Sequence, residues 1–102
     1  MNNDRELLEL AAKAAGETLP HPVARVTHDR GCAPKLWNPL TDDGDALRLA
    51  VKLNLKVMIR LLGAGVCSQD GKLNVSEYGE DPYAATRRAI VRAAAEIGKA
   101  TV

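Results

Sequence analysis

The sequence predicts an α+β domain in which a small antiparallel sheet packs with three helices. The expected order is helix, irregular segment, helix, strand, strand, strand, helix. Three observations lead there. Residues 42–53 and 82–97 each start at or directly after a helix-capping residue (Asp42, Asp81) and carry apolar residues at helical spacing. Residues 55–62 alternate instead, as a strand does. The short runs after them are separated only by glycines and by Asp70-Gly71, so successive strands are joined by tight turns and must be antiparallel.

The first helix is expected over 4–15. Asn3 or Asp4 caps it, Leu7, Leu10, Ala11 and Ala14 form its buried stripe, Glu9 and Lys13 pair one turn apart, and Gly16 ends it. Residues 17–36 form an irregular segment within a single domain spanning 1–102. Pro20, Pro22, Gly31 and Pro34 interrupt this segment, and alternation at 23–27 suggests a short fourth strand at an edge.

The stretch from Trp37 to Leu47 organises the rest of the chain. Pro39 fixes its own φ and pushes Asn38 out of the helical region, which makes a bend. Thr41 or Asp42 then caps the second helix, and with Asp42 as the cap, Asp45 completes a pair resembling a capping box. Ala46, Leu49, Ala50 and Leu53 are its buried stripe, widened by Leu47 and Val51, with Asp45, Arg48 and Lys52 on the wet side. Asn54 closes it. Trp37, the only tryptophan in a chain without phenylalanine, is expected in the core.

The strand at 55–62 bears apolar residues on both faces and is expected to be central and covered on both sides. Gly63 and Gly65 turn the chain into a second strand at 66–69, and Asp70-Gly71 makes a type I′ hairpin into a third at 72–78. Asp81 caps the last helix and Pro82 opens it, where a missing N–H costs nothing. Tyr83, Thr86, Ile90, Ala93, Ala94 and Ile97 are its expected buried side. Arg87, Arg88 and Arg92 lean away, Arg92 pairs with Glu96, and Gly98 stops the helix.

Composition narrows the function classes. Of 102 residues, 46% are hydrophobic and 26% charged, a globular profile, and the net charge of +1 gives no broad attraction for nucleic acid or an anionic membrane. With one Trp, two Tyr and no Phe, base stacking on aromatics has little to work with. No apolar run approaches the length of a spanning helix, the N-terminus lacks the basic start of a signal peptide, and two cysteines make no disulfide framework. The expectation is a cytoplasmic protein without a cofactor.

Two motifs invite a sharper reading. Thr41-Asp42-Asp43-Gly44-Asp45 has the carboxylates of a calcium loop, but the twelfth position counted from Asp43 is Asn54, not Glu. Helix capping is the better account. His21, His28, Cys32 and Cys67 could form a zinc set, but structural sites bring ligands as two close pairs and Cys67 has no near neighbour of ligand type. The expected alternative is Cys67 in the core and both histidines exposed. A Cys–His nucleophile would need an orienting group that nothing in the sequence specifies. Gly63-Ala64-Gly65 leads to a strand rather than a helix N-terminus, so it is no phosphate loop.

The segments Trp37–Ala50 and Ala84–Gly98 resemble those of small phage and prophage proteins with the phage alpha-beta-alpha sandwich domain. The likeness covers about two thirds of the chain and is most specific in Trp37-Asn38-Pro39-Leu40. It implies a phage or prophage origin and helices sandwiching a small sheet, with no catalytic residue to carry over. The function expected is that of a non-enzymatic accessory module in the host cell. It would bind a phage or host protein or a second copy of itself, with Arg87, Arg88 and Arg92 as the candidate contact. The alternative is nucleic-acid binding through the same arginines.

Overall fold

A computed structural model of the chain describes residues 4–16, 26–27 and 35–100, with the backbone alone at 26–27 and 35–36. Its elements are α1 (Asp4–Ala14), β1 (Val26–Thr27), β2 (Lys35–Leu36), α2 (Asp43–Lys52), β3 (Lys56–Arg60), β4 (Gly63–Cys67), β5 (Asn74–Tyr78) and α3 (Pro82–Ala100). Strands β3, β4 and β5 form an antiparallel sheet in that spatial order. The α+β class and the element order are those the sequence predicts.

Helix α3 is the axis of the molecule. It packs against β4 and β5 on one side and against α1 and α2 on others. The sheet meets it through Ala64, Val66 and Val75, all buried, while Met58, Asn74, Ser76 and Tyr78 on the opposite face are exposed. The described helices therefore lie on one face of the sheet, and no sandwich of helices around it is seen among the described residues. Nor is β3 the covered central strand that its two apolar faces suggest. A meander with two tight turns must put its second strand in the middle, so β3 is an edge.

Small residues set how closely the helices approach. Helix α1 buries Leu7, Leu8, Ala11 and Ala12, a stripe rotated from the expected one, and Glu9 pairs with Arg5 (3.6 Å) rather than Lys13. Gly16 ends the helix at φ +74°, a conformation only glycine adopts at no cost. Gly98 does not stop α3. It lies buried inside the helix, where an added Cβ would stand 2.1 Å from the Leu10 carbonyl oxygen. At this glycine the backbone of α1 comes too close to α3 to leave room for a side chain.

The stretch before α2 is held by Asn38. Its side-chain oxygen accepts from Leu40 N–H (3.0 Å), and its carbonyl accepts from Thr41 N–H (3.1 Å) and Asp42 N–H (2.9 Å). Pro39 is fully buried and Trp37 joins the core at 7% exposure. Asp42 is the N-cap, its carboxylate accepting from Asp45 N–H at 3.0 Å. The reciprocal half of the capping box is absent: Asp45 reaches past the cap to accept from Asn38 N–H (3.0 Å) and from Arg48 (2.7 Å). Asp45 is wholly buried, not on the wet side, because it ties the bend to the helix.

At the other end of α2, Leu53 is the C-cap and Asn54 follows it in the left-handed region at φ +56°. Leu55 N–H donates to Ala50 O (2.9 Å) and Asn54 N–H to Val51 O (3.1 Å), the Schellman arrangement with asparagine in the usual glycine position.

Two turn assignments change. Leu61 and Leu62, not the glycines, turn β3 into β4. Gly63 lies within β4, where a Cβ would collide with the Glu77 carbonyl at 2.0 Å. The 70–71 hairpin is longer than a two-residue type I′ turn. Gly71 N–H donates to Ser68 O (3.0 Å), so Gln69 and Asp70 are the central residues, and only Gly71 has positive φ there. The Ser68 hydroxyl and the Lys72 amide donate to Asp70 and hold its carboxyl below the ordinary value. In the 17–36 segment, β1 pairs with β2 (Val26 with Leu36, Thr27 with Lys35) and adds no strand to the main sheet. Residues 23–25 of the expected edge strand lie outside the described residues.

Candidate functional site

The three arginines proposed as a contact surface are ties between elements. Asp81 caps α3, its carboxylate accepting from Tyr83 N–H (2.9 Å) and Ala84 N–H (3.3 Å), and Pro82 opens the helix as expected. One turn on, Arg87 points toward the start of α2. Its Nε donates to Leu40 O (2.9 Å) and its Nη1 to Asp43 (2.6 Å), with the side chain 18% exposed. Arg88 pairs with Asp4 at the start of α1 (3.2 Å). Arg92 pairs with Glu77 and also donates to Ser76 O in β5 (3.4 Å), while Glu96 pairs with Lys99 instead (3.3 Å). Three successive guanidiniums thus join α3 to α2, α1 and β5. Charge spacing in the sequence reads as a solvated face because the partner carboxylates lie up to 84 residues away.

The calcium-loop reading of 41–45 dissolves in the same way. Asp42 caps the helix, Asp43 faces Arg87, and Asp45 is buried against Asn38 and Arg48. Among the described residues no three carboxylate, cysteine or histidine side chains cluster to hold a metal. Cys67 is a free thiol, half-buried rather than in the core, while His21, His28 and Cys32 lie outside the described residues.

What the fold does assemble is an apolar groove of about 630 Å³ between α2, β3 and the first turns of α3. Because α3 lies over β4 and β5, the inner face of β3 is left partly uncovered. Val57 and Ile59 form that wall, Ala46 and Leu47 of α2 the second, and Tyr83, Thr86 and Ile90 of α3 the third, with Leu61 at the hairpin end. Asp43 and Arg87 are charged groups of its lining, and Arg60 borders it while its guanidinium lies over Gly65 on the other face of the sheet. Four of its apolar side chains are strongly exposed: Leu61 91%, Ile59 69%, Tyr83 68% and Leu47 61%. Isolated exposed leucines are ordinary, but a contiguous apolar concavity is the usual mark of a binding surface.

Helical spacing assigns Leu47 and Tyr83 to the core and so misses this site. Two signals in the sequence point to it. The apolar arc of α2 is wider than one buried stripe needs, since Leu47 and Val51 add to Ala46, Leu49, Ala50 and Leu53. A two-residue hairpin turn made of Leu61 and Leu62, in place of Gly or Asn, exposes apolar groups that folding alone does not call for. Compared with protein-family models, curated proteins and solved structures, the chain matches none.

Proposed function

We propose that this chain is a non-enzymatic protein-binding module that receives its partner in the groove between α2, β3 and α3. The carrying observation is the exposed apolar wall of Leu47, Ile59, Leu61 and Tyr83, with few charged groups among its lining residues. Burying such side chains against a partner contributes about 1.5–3 kcal/mol each before the costs of association. A phage or prophage accessory role in the host cytoplasm rests on the resemblance of Trp37–Ala50 and Ala84–Gly98 to phage proteins. Among the described residues no helix is long and apolar enough to cross a membrane. Nucleic-acid binding through Arg87, Arg88 and Arg92 has less support, because each guanidinium already faces a carboxylate.

The test is capture from a lysate of phage-carrying host cells by the immobilised chain. Leu47→Asp with Tyr83→Asp is expected to abolish capture and leave the circular dichroism spectrum intact, since both side chains are exposed. Capture that survives the double variant would refute the groove. Sub-micromolar, salt-dependent binding of a labelled duplex, lost in Arg88→Glu with Arg92→Glu, would replace this reading with the nucleic-acid one.

A further inference from the structure

The two edges of the sheet are finished differently. Leu62 O accepts from Gly79 N–H (2.8 Å) and Ser68 N–H donates to Leu73 O (3.0 Å). Even-numbered residues along β4 therefore turn their hydrogen-bonding groups toward β5, and Gly63, Gly65 and Cys67 turn theirs toward Arg60, Met58 and Lys56 of β3. By the same alternation Ser76 of β5 turns its carbonyl outward. Arg92 donates to it (3.4 Å) while pairing with Glu77, so a charged side chain covers that edge. On β3 it is Val57 and Ile59 whose N–H and C=O groups turn outward, and among the described residues nothing pairs with them. An uncovered edge of this kind is a template for another strand.

The two faces of β3 define what that strand must carry. Val57 and Ile59 face the groove, an apolar surface that continues into Leu47 and Tyr83. Lys56 and Arg60 lie on the other face, and among the described residues no carboxylate pairs with either. The Arg60 guanidinium lies over Gly65 and leaves the edge open. We infer that the partner of the groove docks as an extended acidic segment, added antiparallel to Lys56–Arg60, with apolar side chains over the groove and carboxylates opposite Lys56 and Arg60. This rests on the reading of the groove as a protein-binding surface. The pleat dictates the order of residues. Directly paired residues share a face, so the two opposite Val57 and Ile59 are apolar and the one between them meets Met58. The two flanking residues meet Lys56 and Arg60, where opposite charges across a ladder are favourable and like charges are not. The pattern is acidic, apolar, any, apolar, acidic, and it uses only the strand positions of β3. A second copy of β3 cannot supply the two carboxylates, because Lys56-Val57-Met58-Ile59-Arg60 has none.

The probe is a fluorescein-labelled peptide, Glu-Val-Thr-Val-Glu between Gly-Ser flanks with blocked ends, and the readout is anisotropy. It is expected to bind, and Lys-Val-Thr-Val-Lys is not. Lys56→Glu with Arg60→Glu is expected to weaken the acidic peptide by about tenfold or more and to bind the lysine peptide instead. Its melting temperature is expected to stay unchanged, because both side chains are exposed. N-methylation of the two valines, whose N–H groups would meet Val57 O and Ile59 O, is expected to abolish binding. Methylation of the threonine, whose N–H points away, is not. Hydrogen exchange at the Val57 and Ile59 amides is expected to slow when the peptide is added. Equal binding of the two peptides, or an acidic peptide that tolerates the double reversal or the valine methylation, would each overturn the inference. So would Val57 and Ile59 amides already protected without peptide, as a second copy at the edge would make them. No binding of the acidic peptide, with lysate capture still lost in Leu47→Asp with Tyr83→Asp, would refute the acidic strand alone. Capture indifferent to that double variant would refute the groove itself.

Discussion

Gly98→Ala separates two opposed effects. A glycine inside a helix costs about 1 kcal/mol relative to alanine, so the substitution by itself stabilises α3 by that amount. The new Cβ, however, would stand 2.1 Å from the Leu10 carbonyl oxygen. Ordinary carbon–oxygen contact lies beyond about 3 Å, so α1 and α3 must separate by about 1 Å. The obstacle is backbone and cannot rotate away. Overpacking of this kind costs about 1–3 kcal/mol, here at the upper end because Leu7, Leu8, Ala11 and Ala12 all share the contact face. With about 3 lost and about 1 gained, the net is about 2 kcal/mol of destabilisation. In a domain of this size that lowers Tm by about 8–16 °C. Thermal unfolding followed by circular dichroism measures it. Gly79→Ala is the control, since a Cβ there meets nothing within 4 Å, and its Tm is expected to move little. A Gly98→Ala protein as stable as wild type would show that Gly98 ends the helix and is no packing contact.

The remaining expectations concern polar ties and the core. Asp45→Ala leaves the half-buried Asn38 amide without its acceptor, while Arg48, about half exposed, can be solvated, so chemical denaturation should show a loss of about 1–3 kcal/mol. Loss near zero would mean the bend does not depend on Asp45. Arg87→Ala removes two hydrogen bonds from a mostly buried side chain and should cost about 1–3 kcal/mol, whereas Arg88→Ala breaks one exposed pair and should cost about 0–1 kcal/mol. Equal costs would contradict that ranking. Reversing all three arginines to Glu should therefore destabilise the fold through Arg87, although their spacing in the sequence is that of a solvated face. Trp37→Ala should cost about 3–5 kcal/mol, and native Trp emission should be blue-shifted. An emission maximum at the fully hydrated position would contradict the burial of Trp37.

The features legible along the chain are local ones. The caps at Asp42 and Asp81, Pro82 at the start of α3, the bend at Asn38-Pro39 and the strand order each depend on groups within a few residues of one another. The short turns between strands are enough to make the sheet an antiparallel meander. The partner that lies across from each side chain, by contrast, is settled only on folding. Gly98 looks the same in sequence whether it terminates a helix or admits another, and only the Leu10 carbonyl distinguishes the two. Asp45 sits on the polar side of the α2 pattern, yet it is buried because the chain before the cap folds back over it. Arg87, Arg88 and Arg92 have the spacing of a wet face, but carboxylates and carbonyls of α2, α1 and β5 come to meet them. The groove is the same case in apolar form. Helix α3 covers two strands of three, and the apolar surplus of α2 and β3 becomes a surface because no described element packs over it. Local hydrogen bonds and dihedral preferences act over a few residues and can be read along the chain, whereas burial and pairing depend on distances that exist only once the chain has folded.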